Sequence, residues 1–331
     1  MSGGGAGPGI AALGLVTPAP GGIAAQAAAL IEGRPLFERH PRWIGGDGQR
    51  QVMGFVPELR DIADYPTRLA LLAHRAFDAC RQDQLACSGR VMPAPMLLLL
   101  PPVLRDAGLQ AAFRNAAMAL DFSGVTQVQL AFGEAPAGLA LLRQLPALPH
   151  YLAAADTLVT PFAMDMRLVQ GLARDRAHPW NPVPAEAGAC LLLAGAAPPL
   201  RALVPAAAVA EEAERLADPR RGLLGCGLGA AIDALLAPAA APLSMVLSDA
   251  TGERWRAEEV GVVRSGRAAL NADDLPWHFP AQAMGDAGAA AGLVALALAC
   301  MRPGASLVLT SGREGARAAA LIEAATVSAP A

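Results

Sequence analysis

The sequence contains no lysine, because all 26 basic residues among its 331 are arginine. This absence excludes chemistry that needs an ε-amino group: Schiff bases, lysine general bases and the lysine of a P-loop. Aromatic residues make up only 4% of the chain, although 54% of it is hydrophobic. The core is therefore predicted to consist of small aliphatic side chains that let helices and sheets pack closely.

An excess of positive charge is also absent, since the formal net charge is -3. No basic stripe with interleaved aromatic residues is visible, so nucleic acid is not an expected partner. The five cysteines are odd in number and form no CxxC pair, which argues against a disulfide framework and against a zinc site. We predict no metal and no cofactor, and a reducing compartment.

Signals for export or membrane insertion are missing too. The opening MSGGGAGPGI is rich in glycine, and it lacks the basic and long apolar regions of a signal peptide. The longest apolar run, within residues 281–301, is shorter than the roughly 20 residues that a membrane span needs. We therefore expect a cytoplasmic protein that does not enter the membrane.

Short apolar runs alternate with helical patterns along the chain, which predicts a parallel sheet with helices on its faces. Strands are predicted at 10–16, 96–100, 126–131, 151–155, 190–193, 243–247 and from 306 onward. Helices are predicted at 21–31, 68–80, 109–120, 138–145, 161–172, 209–216, 228–236 and 287–301, with a last one ending at 321. Residues 33–66 are predicted to be irregular.

One acid, Asp286, stands where a segment of small residues turns into the longest apolar run. The first turn of a helix has free N–H groups that favour a carboxylate. We therefore predict that Asp286 caps a helix that begins near Ala287. The alternative is a general acid or base, for which the sequence identifies no partner.

Four segments, in order, resemble the β-ketoacyl synthase branch of the thiolase superfamily. They are GIAALGLVTPAPGG (9–22), YLAAADTLVTPFAMDMRL (151–168), NPVPAEAGACLLLAG (181–195) and GDAGAAAG (285–292). The resemblance implies an α/β, thiolase-like fold of two pseudo-symmetric halves in αβαβα layers. It divides the chain into a first half, 1–180, with the nucleophile elbow, and a second half, 181–331. Elbow and GDAG turn are then expected about 10 Å apart, around one former active site.

The same resemblance places the catalytic positions of those enzymes on other side chains here. Their cysteine falls on Val159 and their two histidines fall on Asp249 and Asp286, while their lysine falls on Ala281. A valine cannot attack a thioester. The resemblance therefore implies a degenerate elbow and a catalytically inactive protein, and we assign no catalytic residue.

One function is predicted, and two alternatives remain open beside it. The first is an inactive accessory, binding or scaffolding partner, similar to thiolase-like proteins associated with bacterial type VI secretion. The second is an acyltransferase resembling 3-oxoacyl-acyl-carrier-protein synthases, acting on acyl thioesters through a displaced nucleophile. Its candidate residues are Thr157, Thr160 and Cys226, with His278 near the GDAG turn. The third is a subunit similar to a chain length factor, which lacks the cysteine and pairs with an active synthase.

The resemblance implies a protein partner or a homodimer through a thiolase-type interface, with an acyl thioester or a carrier protein as further ligands. Other polar residues are predicted to be structural. Cys190 and Cys300 lie in apolar runs and are expected in the core. Asp233 has no titratable partner nearby in the sequence. A solvated helix face is predicted for Arg254, Arg256, Glu258 and Glu259.

Overall fold

A computed structural model describes residues 7–45, 48–145, 149–176, 178–195, 200–212, 225–236 and 242–325. The strands are β1 Gly9–Val16, β2 Glu38–Ile44, β3 Arg50–Met53, β4 Ala94–Leu100, β5 Val125–Phe132, β6 His150–Thr157, β7 Glu186–Ala194, β8 Ala202–Glu211, β9 Leu243–Ser248, β10 Trp277–His278, β11 Gly304–Ser311 and β12 Ala316–Ala324. The helices are α1 Ile23–Ile31, α2 Tyr65–Ser88, α3 Ala107–Met118, α4 Ala135–Leu141, α5 Pro161–Val169, α6 Cys226–Asp233, α7 Arg254–Ser265, α8 Pro280–Met284 and α9 Ala291–Ala299.

The strand order repeats. Among the described strands, ten form one sheet. From one edge of this sheet inward the order is β5-β4-β6-β7-β1, and from the other edge inward it is β10-β9-β11-β12-β8. In each set the last strand in the chain, β7 or β12, pairs antiparallel with both of its neighbours, and the pairs on the far side are parallel. The two sets meet between β1 and β8 at only two residue pairs. The order of elements is therefore doubled, as expected, without a repeat in the sequence.

Helices fill three layers around the two sets of strands. α4 and α9 contact each other and lie between the sets, since α9 packs on both β7 and β11 and α4 packs on β8 and β12. α2 covers the outer face of the first set with α3 behind it, and α6 covers the outer face of the second set with α7 beside it. This is the predicted αβαβα arrangement.

Side chains on β4 show how the strands divide between layers. Leu97 and Leu99 join the central core, whereas Leu98 and Leu100 join the core beneath α2, as the period of two along a strand requires. α9 lies in the centre and buries eight of its nine residues. A helix buried on all sides is apolar on all sides, which explains the uniform run in the sequence.

Two helix predictions are wrong. Residues 202–211 form β8 where a helix from 209 was predicted, and residues 213–216 lie outside the described ranges. Residues 316–324 form β12 where a closing helix was predicted. Both segments are alanine-rich and favour a helix by propensity, but β8 and β12 pair along eight residues and bury their apolar faces in the sheet. The segment predicted as irregular also contains the hairpin β2–β3.

The boundary at residue 180 stays a prediction. The pairing of β7 with β6 and β1 puts β7 in the first half, which favours a boundary between the halves later in the chain, between β7 and β8. Within the described ranges, no helix has both the length and the hydropathy of a membrane span.

Candidate functional site

The elbow after β6 and the GDAG turn meet through Asp156. Its carboxylate accepts hydrogen bonds from the backbone N–H of Thr157 at 2.7 Å and of Ala289 at 2.8 Å. Burial raises the pKa of Asp156 to about 7, although the hydrogen bonds from the two amides lower it. The nearby charge of Asp286 adds to the rise. The two segments therefore lie together, as the resemblance implies.

Gly288 permits this close approach. Its φ of 51° lies in the left-handed region, and a Cβ added there would lie 2.0 Å from Oδ2 of Asp156. Any side chain at this position would push the GDAG turn away from the elbow. The glycine is therefore part of the site's construction.

Asp286 is not the N-cap of a helix at Ala287. Its Oδ1 accepts the N–H of Gly288 at 3.0 Å within a short 3-10 turn, and α9 begins only at Ala291, with Ala290 as its N-cap. The prediction fails because the positive φ of Gly288 delays the regular helix. Asp286 instead pairs with an arginine that the sequence analysis did not single out.

That arginine is Arg167 on α5, whose Nη1 lies 3.3 Å from Oδ2 of Asp286. Its Nη2 donates to the carbonyl oxygens of Leu172 at 3.2 Å and Pro182 at 2.9 Å. Burial alone would raise the pKa of Asp286, but Arg167 and Arg256 outweigh it and hold the pKa below its ordinary value. Burial lowers the pKa of Arg167. The pair fixes the GDAG turn against α5.

Asp249, directly after β9, has a similar pairing. Its two oxygens accept the N–H of Ser311 at 3.2 and 3.1 Å, and Nη1 of Arg256 lies 2.8 Å from Oδ2. Burial raises the pKa of Asp249 even though Arg256 opposes the rise. Burial would lower the pKa of Arg256, but Asp249 and Glu253 raise it above its ordinary value. Asp249 is thus an acceptor engaged by fixed donors.

Two further ion pairs, both made by Glu253, extend the network. Glu253 binds Nε of Arg256 at 3.1 Å and Nη2 of Arg313 at 2.5 Å. Glu259 is fully buried, where it accepts from Ser311 and from Arg317. The predicted solvated face is therefore wrong for Arg256 and Glu259, because α7 turns that side toward the network. It holds for the exposed pair of Arg254 and Glu258.

A cavity of about 420 Å³ lies over these ion pairs. One wall is apolar and includes Leu158, Phe162, Met166 and Leu172. Its charged lining consists of Glu134, Asp156, Arg167, Asp249, Arg256, Asp286, Arg313 and Glu314. Among the described residues that line it there is no cysteine, histidine, serine, threonine or lysine. The cavity therefore offers hydrogen bonds and charge, without the usual nucleophiles.

The candidate nucleophiles lie elsewhere. Val159 packs in a separate cluster with Met53, Phe55 and Met164, and Leu158 takes its place at the cavity wall. Thr157 is buried and donates to Glu186 at 2.9 Å. Thr160 caps α5, where its hydroxyl accepts the N–H of Ala163 at 3.3 Å.

Two further candidates, Cys226 and His278, do not line the cavity. Cys226 is the exposed first residue of α6, in the outer layer. Nδ1 of His278 lies 3.1 Å from the carbonyl oxygen of Ile31, and His278 is not among the residues that line the cavity. Burial lowers its pKa. Cys190 and Cys300 are buried in the core, as predicted.

The carboxylate of Glu186 accepts hydrogen bonds from several residues behind the elbow. It accepts from Nε and Nη2 of the buried Arg68, from the N–H of Val56 and from Thr157. Sequence reasoning missed both residues of this pair because they are 118 positions apart. The signal available was a charged residue at the start of an apolar strand, in AEAGACLLLAG.

No family model matches the chain, and no curated protein matches it. Solved structures do. The ishigamide ketosynthase/chain length factor is 19% identical with a TM-score of 0.71, over 97% of this chain and all of that chain. A type II polyketide synthase ketosynthase solved with its acyl-carrier protein is 13% identical with a TM-score of 0.72, over 97% of this chain and 100% of that chain. An oxazolomycin ketosynthase domain from Streptomyces albus is 16% identical with a TM-score of 0.68, over 98% and 76%. The thiolase-like ketosynthase fold is thereby confirmed.

Proposed function

We propose that this chain is a non-condensing subunit, similar to a chain length factor, that pairs with an active ketosynthase. The ion-paired cavity carries the proposal. Where the resembling synthases have two histidines, Asp249 and Asp286 bind arginines. Condensation needs a thiolate nucleophile and donors for the developing oxyanion. This subunit would contribute to condensation only beside a partner that supplies the thiol.

The comparisons support this proposal over the other two functions. Two of the neighbouring structures are described as a ketosynthase with a chain length factor, the ishigamide pair and PfaC. The PfaC match covers 98% of this chain at 13% identity. The link to type VI secretion rests on the sequence resemblance alone and stays a prediction.

The acyltransferase with a displaced nucleophile has less support. A threonine nucleophile needs an adjacent base. Thr157 donates instead to a carboxylate that two nitrogens of Arg68 also occupy, and Thr160 is engaged as a helix cap. Cys226 lies at the start of an outer helix, away from the cavity lining.

A partner is also supported by the edge of the first set of strands. β5 is eight residues long, pairs with β4 alone among the described strands, and exposes residues 126–129. Its sequence, VTQVQLAF, contains neither charge nor proline. Soluble proteins usually protect such an edge with charge, proline or a covering element. A strand from a ketosynthase partner would cover it, and a carrier protein would deliver acyl groups to the pair.

The test uses the purified chain and the ketosynthase encoded nearest to it in its genome. Light scattering after gel filtration should give the mass of one copy of each protein. Carbon dioxide release from a malonyl-carrier protein should require the ketosynthase and should increase when the chain is added. Separate elution at micromolar concentration, or no change in product or rate on addition, would refute the pairing.

A further inference from the structure

The doubled fold allows the elements of the first half to be matched with those of the second. In chain order the described elements of the first half run β4, α3, β5, α4, β6, β7, and those of the second run β9, α7, β10, α8, α9, β11, β12. The strands that match in this order also match in the sheet, because β5 and β10 are its two edges. α4 is therefore the counterpart of α9, since each lies between an edge strand and the third strand from that edge.

The two matched helices approach each other at their first turns. A Cβ added to Gly292, in the first turn of α9, would lie 2.5 Å from the carbonyl oxygen of Ala135, the first residue of α4. Ala135 and Glu134, which directly precedes α4, line the cavity, and so do Gly288 and Ala289 of the GDAG turn. The start of α4 and the GDAG turn are therefore matched parts of one cavity lining.

The elbow has a different counterpart. It joins β6 to β7, which are antiparallel, and the matching connection in the second half is the turn between β11 and β12. The resemblance to a nucleophile segment at residues 151–168 thus falls on β6 and the connection after it, beyond α4 in the chain. Val159 accordingly packs in a separate apolar cluster and does not line the cavity.

Glu134 differs from three other acids that line the cavity. Asp249 and Asp286 bind arginines, and Asp156 accepts two backbone amides. Glu134 is half-buried and forms no ion pair with any described residue, and its Oε2 accepts the N–H of Glu314 at 3.4 Å. Burial raises the pKa of its carboxyl, although the hydrogen bond from that N–H lowers it. Its carboxylate is therefore left open to the cavity.

We infer that Glu134, and not Val159, occupies the position of the cavity from which a side chain reaches a thioester, and that its carboxylate keeps the chain from being acylated. A thiol at this position would face the cavity, and the positive charge of Arg256, which acts on Glu134, would favour its thiolate. The thiolate would attack the carbonyl carbon, and a new carbon–sulfur bond would form. The thiol of the substrate would leave with the proton that the attacking thiol has given up.

This inference deepens the proposed function and rests on it for the choice of a thioester. The test compares Glu134→Cys with the matched control Val159→Cys. Each variant is incubated with acetyl-coenzyme A and, separately, with iodoacetamide, and peptide mapping by mass spectrometry locates the label. We expect Glu134→Cys to be acetylated at residue 134, and to be alkylated there at least about tenfold faster than Val159→Cys at residue 159, because the reactivity of a thiol follows its exposure and the charges around it.

The native cysteines show whether each variant is folded. Two of them are exposed and three are buried, namely Cys87 and Cys226, and Cys80, Cys190 and Cys300. In a folded variant, only the two exposed cysteines react with iodoacetamide beside the introduced one. A second measurement needs no substitution. Coupling of glycinamide to the wild type by a water-soluble carbodiimide should modify Glu134 and leave the ion-paired Asp286 unmodified.

Equal or faster labelling at residue 159 would overturn the assignment. So would acetylation of Glu134→Cys at residue 134 no faster than at the exposed Cys226, or a wild type that does not couple at Glu134. Light scattering with the ketosynthase keeps the two proposals apart. If acetylation fails while the pair still forms, the position assigned to Glu134 is wrong and the proposed pairing stands; acetylation without pairing supports the position and refutes the pairing.

Discussion

The pKa values of two carboxylates in one buried corner are shifted in opposite directions. Asp286 faces Arg167 at 3.3 Å, and its pKa lies below the ordinary value. Asp156 is engaged by backbone amides, and burial raises its pKa to about 7. The sequence predicted that Asp286 lies at the former active site, but not its partner. Arg167 is 119 positions away, and no local pattern joins residues that only the fold brings together.

The raised pKa of Asp156 predicts a stability change with pH. Between its ordinary pKa of 3.8 and about 7, the folded protein keeps a proton that the unfolded chain has released. The free energy of unfolding should therefore fall by about 1.4 kcal/mol per pH unit between pH 5 and 6, and about half as steeply near pH 7, relative to Asp156→Asn. Urea titrations at pH 5, 6 and 7 measure this difference.

Comparison with the variant removes effects common to both proteins, including that of His278. Asp233→Asn is the matched control, because Asp233 is exposed and its hydrogen bonds to Arg267 lower its pKa. Its difference from the wild type should be flat over the same range. A flat difference for Asp156→Asn would contradict the raised pKa.

At the scale of elements, apolar runs placed most strands and helices correctly. α9 and β4 could be predicted as buried elements from their composition, since both are apolar throughout. β8 and β12 were not predictable in this way, because their alanine-rich sequences suit a helix equally well. Their conformation depends on pairing with each other across more than one hundred residues.

The open edge of β5 can be tested by substitution. Val128→Lys puts a charge on the open edge, where Val128 is 45% exposed. The stability of the single chain should change by less than about 0.5 kcal/mol, as for other surface substitutions. The complex with the ketosynthase should weaken by at least tenfold, because the charge would be buried in the new strand pair. Light scattering over a dilution series measures this.

Val262→Lys is the control for this variant. Val262 lies on α7 in the outer layer of the second half and is 42% exposed, so it matches Val128 in exposure. It should leave the complex intact. Equal effects of the two substitutions, or none from Val128→Lys, would place the partner on another surface.

At the scale of the whole molecule, the doubled strand order frames a cavity between two halves, where the elbow and the GDAG turn meet. The four sequence segments were sufficient to predict this architecture and the meeting of those two segments. They did not predict the three arginines that fill the site with ion pairs. Nor did they indicate that Leu158, and not Val159, faces the cavity.

The most direct test of the account is the chemistry of the chain by itself. The purified protein is incubated with acetyl- and malonyl-thioesters, and its intact mass and carbon dioxide release are measured beside an active ketosynthase. We predict an unchanged mass and no release above background, because no thiol, hydroxyl or imidazole nucleophile lines the described cavity apart from the phenol of Tyr65. Stable acylation mapped to Thr157, Thr160 or Cys226, or release of carbon dioxide, would contradict a non-condensing subunit.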